Sequence, residues 1–529
     1  MTTSRGAIHY RRLRAPREHG VTIVDPPLEA APCLAAENIS LARAHLYDFQ
    51  GRCLDALAQQ AHEELLVAAA KYTRSYRNVN LPEASGPILL TGHQPELYHP
   101  GVWFKNFAAS AAARRMNAFA VNLLIDNDTI RSAAIRVPQG TLTEPKAGRV
   151  AFDRPSEEIP FEERTVQDAE LFESFAERVR SSLAPFVKHP LVDGLWPLAV
   201  EAMRRDNNLG RCLSRARHRL EAKWGLGTLE LPLSAVCQGE PFRWFVAHLL
   251  AHLPQFQEVY NACLAEYCRV HRIRSRTHPV PPLGRRDEWR EAPFWVWSAA
   301  EPRRQRLFVR QRGRDLELSD LRRWRSVLSL HRDGNGARAV DQLGGIAAAG
   351  VRLRPRALLT TMFARLLLGD LFFHGIGGAK YDQLTDLIIQ RFFRLTPPSF
   401  VVLTATAKLP VRRPQGIEEE LRRLNWLMRE LRFNPQRHVS RTEETEPWLA
   451  EKQRWIEHEV SCQDRGARHR AISRINEALR PFVDLQRSRL VEERARCLML
   501  LQQDKLFDSR EYSFCLFPEE TLRFLLLDF

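Results

Sequence analysis

GPILLTGHQPELYHPGVWFKNFAASAAARRMNAFAVNLLIDNDTIR, residues Gly86–Arg131, is the stretch that sets the fold class. Ile88-Leu89-Leu90 is a short apolar run, and Thr91-Gly92-His93-Gln94-Pro95 is a polar turn. After His99-Pro100-Gly101 a helical pattern runs from about Val102 to Arg115. A second apolar run, Phe119–Ile125, ends in Asp126-Asn127-Asp128. Strand, polar loop, helix, strand is a βαβ unit, and uninterrupted apolar strands belong to a sheet covered on both faces. Ligands of open α/β sheets bind where strand C-termini meet helix N-termini, which here carry the most reactive side chains of the chain.

Around this stretch lie 529 residues, enough for two to four domains. Hydrophobic residues make up 44% and charged residues 27%, ordinary for a soluble globular protein. The N-terminus shows no secretory pattern and no run of about 18 apolar residues exists, so a cytoplasmic protein without a membrane span is expected. The nine cysteines are scattered without zinc spacing and are read as reduced structural thiols. The net charge of +15 raises a nucleic-acid partner, but the arginines are interleaved with glutamates along the chain, as in Glu418–Arg423, and no nucleic-acid motif is present. Anionic small molecules account for the charge equally well. Only nine basic residues are lysines, and Lys105 and Lys380 both lie in polar motifs, where a compact ammonium differs from a guanidinium.

Residues 1–80 are read as a loosely structured lead-in followed by a long helix, Ile39–Tyr76, packing on the core. Residues 81–140 form the first part of the α/β core. Residues 141–332 form a mostly helical insertion with β strands, some of them core: β-like Thr228–Val236, one long helix from about Pro241 to Val270, a break at Pro279–Leu283, and a small meander of Phe294–Ser298, Gln305–Gln311 and Asp315–Leu318. Residues 333–410 return to the core, with helix Leu358–Leu368, strand Leu371–His374, turn Gly375–Gly378, helix Tyr381–Phe393 and strand Val401–Thr404. In 411–505, apolar residues at 417, 421, 424, 428 and 431 make a heptad-like seam, predicting a helical hairpin or short antiparallel coiled coil, within one chain or between two copies in a homodimer. The apolar tail, 506–529, is expected to fold back onto the core.

Three motifs carry the candidate site. In the first, Gly92 permits a tight turn, His93 and His99 suit phosphate binding or proton transfer, Gly101 opens a helix whose free N–H groups suit an anion, and Lys105 lies one turn further in. In the second, Asp126 and Asp128 could hold an amine, a ribose or Mg²⁺; an Asx turn capping the next segment is the alternative. The third is His374-Gly375-Ile376-Gly377-Gly378-Ala379-Lys380-Tyr381-Asp382-Gln383, a glycine-rich strand-to-helix junction with neither GK[ST] nor GxGxxG. His248 and His252, four apart on a helix, lack a third ligand and are read as structural, so no metal site is assigned.

TGHQPELYHPG with its lysine-bearing helix resembles the TGQQ-type motif of the bacillithiol-biosynthesis cysteine-adding enzymes. HGIGGAKYDQL resembles that family's glycine-rich GGPGE-type segment. By position Thr91, Gly92 and Gln94 match the first motif, and Gly377, Tyr381 and Gln383 the second. The family's first Gln is His93 here, and its Pro-Gly-Glu is Gly378-Ala379-Lys380. The resemblance implies a Rossmann-like, nucleotidyltransferase-type core with helical insertions and a C-terminal antiparallel coiled coil. It also implies a ligase joining cysteine, or a similar amino acid, to a sugar-malate acceptor through an amide, in synthesis of a low-molecular-weight thiol. ATP or ADP would bind, with Mg²⁺ open. His93, His99, Lys105 and Lys380 would then stabilise phosphate charge, and Asp126 or Asp128 would hold the acceptor amine or a metal. The alternative is a nucleotide- or nucleic-acid-binding protein of the same fold with another substrate or no catalysis.

Overall fold

The structure, a computed structural model, describes residues 13–80, 86–130, 132–142, 144–155, 158–274, 280–411, 416–457 and 465–527. The start of the expected lead-in, Pro279 of the expected break and Cys462 lie outside them. The chain divides into two compact units. One comprises Met1–Val137, Arg149–Leu409 and Arg510–Phe529, and the other Pro138–Gly148 and Pro410–Ser509.

The first unit is a mixed α/β structure. Its main sheet contains β1 (Thr22–Asp25), β2 (Ile88–His93), β3 (Phe119–Leu124), β4 (Leu229–Pro232), β5 (Leu371–Gly375) and β6 (Phe400–Ala405), in the order β1-β6-β5-β2-β3-β4. All neighbours from β6 to β4 pair in parallel, and only edge strand β1 is antiparallel. From β2 the chain steps one way to β3 and β4, then returns to the other side for β5 and β6. The order therefore reverses between β2 and β5, whose C-terminal ends carry the first and third motifs. In β2, Ile88–Thr91 are buried, and in β3 all but Phe119, as a doubly covered parallel sheet requires.

Helix α1 (Leu54–Arg74) packs on β4, α2 (Pro100–Met116) connects β2 to β3, α3 (Leu209–Lys223) leads into β4, and α4 (Ile376–Ile388) connects β5 to β6. Pro100 fits the first turn of α2 because its missing N–H would have no intrahelical acceptor. Left-handed Asn117 (φ 48°) ends this helix. Phe514, Leu516, Phe517 and Leu522 of the C-terminal segment are fully buried, and the Phe514 ring lies 4.4 Å from that of Trp103.

Several elements differ from the expected ones. The strand Val351–Pro355 joins Trp289–Ser298, Glu301–Arg312, Asp315–Ser319 and Arg325–Leu328 in a second, antiparallel sheet, so the meander is larger than its short apolar runs suggested. The long helix of 39–76 is two helices, Ala31–Ala44 and α1. Between them Gln50 and Gly51 have positive φ, and Asp48 accepts the Gly51 N–H, a chain reversal no helix contains. The helix of 241–270 is likewise two, Glu240–Ala251 and Leu253–Val270, because Pro254 cannot donate within a continuous helix. Strand β4 stops at Pro232, and Leu233–Val236 is a helical turn. Gly375–Gly378 is not a loop: Gly375 caps α4, which starts at Ile376.

The second unit contains helices Ile417–Phe433, Glu446–Glu457, Arg465–Leu479 and Asp484–Phe507. Leu424 and Leu431 of the seam pack with Val483 and Leu490, joined by Leu427 and Met428. Leu449, Ile475 and Leu479 form a second small cluster. Among the described residues no helix is long and apolar enough to cross a membrane.

Candidate functional site

At the β2–β5 junction the structure brings together Gly92, His93, His99, Lys105 and Gly375. Lys105 enters from the second turn of α2, and its Nζ donates to the Gly92 carbonyl at 2.5 Å. A Cβ on Gly375 would lie 3.9 Å from its Cδ. Lys105 is buried, and no described carboxylate lies within ion-pair distance of it. Burial alone lowers its pKa to about 8. A cation taken from water without an anionic partner is costly, and binding sites are where such arrangements recur.

His93 Nε2 and the Tyr98 hydroxyl are 3.1 Å apart, and His93 Nδ1 is 3.1 Å from the Gln94 carbonyl. Its pKa is pushed well below the usual range by burial, with Arg217 and Lys105 adding to the effect. His93 is therefore a neutral imidazole at pH 7. His99 is the cap of α2, its Nδ1 accepting the Gly101 N–H at 3.1 Å, and burial lowers its pKa to about 4. The α2 N-terminus is consequently closed to an anion by its own histidine. It is also crowded: a Cβ on Gly101 would lie 2.3 Å from the Ala405 carbonyl and 2.4 Å from an Arg510 guanidinium nitrogen. Gly101 thus serves close packing against the end of β6, not the anion contact read from sequence. Gly101→Ala is expected to destabilise by about 1–3 kcal/mol, since backbone cannot yield to a methyl group. An unchanged urea midpoint would contradict this.

The free helix N-terminus belongs to α4. Gly375 supplies no side-chain cap, there is no acidic residue in the first turn, and Gly377, Gly378 and Lys380 are exposed. Behind it His374 Nε2 lies 2.6 Å from Asp382 Oδ2, and Arg365 Nη1 donates to the same oxygen at 2.8 Å. Burial would raise the Asp382 pKa, but His374 and Arg365 outweigh it and hold the carboxyl well below the usual range. Tyr381 and Gln383 contact Tyr267 and His271. The Tyr381 ring packs 6.1 Å from Tyr267, and Gln383 Oε1 is 2.9 Å from His271 Nε2.

The second motif adjoins the first at the end of β3, where the Ile125 N–H donates to the His93 carbonyl at 2.9 Å. Asp126 accepts from the Ser234 N–H at 2.9 Å and from its hydroxyl, and burial raises its pKa. Asp128 accepts from the Thr129 N–H and Arg304 Nη1, each at 2.9 Å, and from Gln94 Nε2 at 3.1 Å. Gln94 thereby ties the first motif to the second. Both carboxylates already have partners. Among the described residues no group of three His, Cys, Asp or Glu side chains is placed to hold a metal. His248 and His252 are packed side chains: His248 Nε2 lies 2.7 Å from the Tyr47 hydroxyl and His252 Nε2 3.1 Å from Gln50 Nε2.

Sequence reading missed a buried network under the first motif. Thr91 donates to Asn122 at 2.8 Å, Asn122 to Glu230 at 2.5 Å, and Asn106 to Glu221 at 2.8 Å. Arg217 joins the two glutamates, bonding Glu221 at 2.5 Å and also Glu230, and Tyr76 lies 2.6 Å from His218 Nδ1. The visible signal was Asn122 and Glu230, single polar residues inside apolar strands (FAVNLL and LELP).

The sequence matches no family model and no curated protein.

Proposed function

We propose that this chain is a ligase forming an amide between cysteine, or a similar amino acid, and a sugar-malate type acceptor, on a Rossmann-like core of the nucleotidyltransferase type. The observation that carries the reading is Lys105, a buried ammonium without a carboxylate partner at the point where strand order reverses. An ATP or ADP phosphate would be held by Lys105 together with the uncapped α4 N–H groups. When bound, the nucleotide supplies the activating phosphoryl group. Lys105 and Lys380 hold its charge, and neutral His93, hydrogen-bonded to Tyr98, lies beside Lys105 without adding a charge of its own. The parallel order β6-β5-β2-β3-β4 supports the Rossmann-like assignment, and the Leu424/Leu431 seam supports an antiparallel coiled coil.

Incubating the protein with cysteine, glucosaminyl-malate and ATP tests the reading by mass spectrometry. A product equal to both substrates less one water is expected. Unchanged substrates would overturn the ligase assignment, and ADP binding without product would favour the nucleotide-binding alternative.

A further inference from the structure

A cavity lies among elements other than those of the β2–β5 junction. Helices Glu240–Ala251 and Ala337–Ala348 pack on each other, and the strand Val351–Pro355 follows the second of them. Between the three is a cavity of about 390 Å³, a size that accommodates a small organic ligand. Ile346, Ala347, Val351 and Leu353, each partly exposed, give it an apolar side, and Arg243, Arg352 and Arg354 a cationic one. No acidic side chain lines it.

The three guanidiniums differ. Arg354 is bound by Glu162, with Nε donating at 3.0 Å and Nη2 at 2.8 Å, and Arg352 Nε donates to Glu163 at 3.1 Å. Arg243 has no ion pair among the described residues, and its Nε is buried without a hydrogen-bond partner. Its guanidinium lies over Gly344, with Nη1 2.2 Å from where a Cβ would stand, so the glycine leaves room for it. Two of the three positive charges are thus paired with glutamates, and the third, over Gly344, is without an ion pair among the described residues.

We infer that this cavity binds a singly charged carboxylate with an apolar body, its carboxylate on Arg243 and its body against Ile346, Ala347 and Leu353. A planar guanidinium matches a carboxylate fork, and one unneutralised charge matches a monoanion better than a phosphate dianion. The inference does not depend on the nucleotide reading, and its test contains no nucleotide.

The full-length protein is titrated calorimetrically with octanoate and phenylacetate, and with octanol, octyl phosphate and inorganic phosphate as comparisons. At least one carboxylate is expected to bind, with affinity tenfold or more above that for octanol and inorganic phosphate. Arg243→Gln is expected to weaken it at least tenfold, and Ala347→Trp, which fills the cavity from a partly exposed position, to abolish it, while both variants keep the wild-type urea midpoint within the error of the measurement. Should a variant unfold, the wild-type ligand series decides alone. Failure of both carboxylates to bind, equal affinity for octanol, or undiminished binding to folded Arg243→Gln overturns the inference. Preference for octyl phosphate over octanoate overturns the assignment of a single charge.

Discussion

Lys105→Met is expected to give a protein that is more stable than the wild type and unable to bind nucleotide. The ammonium is buried without an anionic partner, and its pKa falls from an ordinary 10.5 to about 8. For a base whose folded pKa is depressed, the unfolded chain holds more protons between the two values. Stability of the wild type therefore rises with pH from about 8 to about 10.5, and the whole penalty, about 3 kcal/mol, is present below pH 8. Methionine removes that penalty and loses the hydrogen bond to the Gly92 carbonyl, which contributes about 1 kcal/mol. The expected net gain at pH 7 is ~1–2 kcal/mol, seen as a higher urea midpoint at unchanged slope. The rise of stability between pH 8 and 10.5 should flatten in the variant. A less stable variant with wild-type nucleotide affinity would make Lys105 a packing residue. Stability gained where function is lost is the usual mark of a binding site.

Arg217→Met should have the opposite effect. Arg217 lies between Glu221 and Glu230, and both carboxylates are fully buried. Removing the cation leaves two charges in the interior, near the Asn106, Asn122, Trp103 and Tyr76 donors and the more distant Arg77 guanidinium. Breaking a buried ion network this way typically costs 3–5 kcal/mol, a large part of a domain's stability. Adding Glu221→Gln and Glu230→Gln to Arg217→Met should recover most of the loss, because the charges that needed the arginine are then gone. A loss below about 1 kcal/mol for Arg217→Met, read from urea unfolding, would show that the network does not hold β2, β3 and β4 together. Thr91 belongs to it through Asn122, so partial loss should also perturb the first motif.

The βαβ unit was legible because its physics is local. The apolar runs gave β2 and β3, and Pro100 and the alanine-rich stretch gave α2, each within about three residues of its observed ends. The pairing of the first and third motifs was legible as well, since both end a strand and open a helix. Pro254 was a readable break whose effect was underweighted, and Asp48 before Gly51 was a readable turn. Less accessible were features made by residues distant in sequence. Nothing local announces that Arg217 meets Glu230, that His99 closes the helix end it precedes, or that the free N-terminus is the one after Gly375. Gly101 showed the same limit: it suggested a ligand, and its role is the approach of Ala405 and Arg510.

The central claim is that the β2–β5 junction binds a nucleotide phosphate through Lys105. Its most direct measurement is calorimetric titration of ADP into the wild type and into Lys105→Met under identical conditions. The account predicts saturable one-site binding to the wild type and affinity at least tenfold weaker in the variant. Equal affinity for both proteins, or no binding to the wild type, would contradict it.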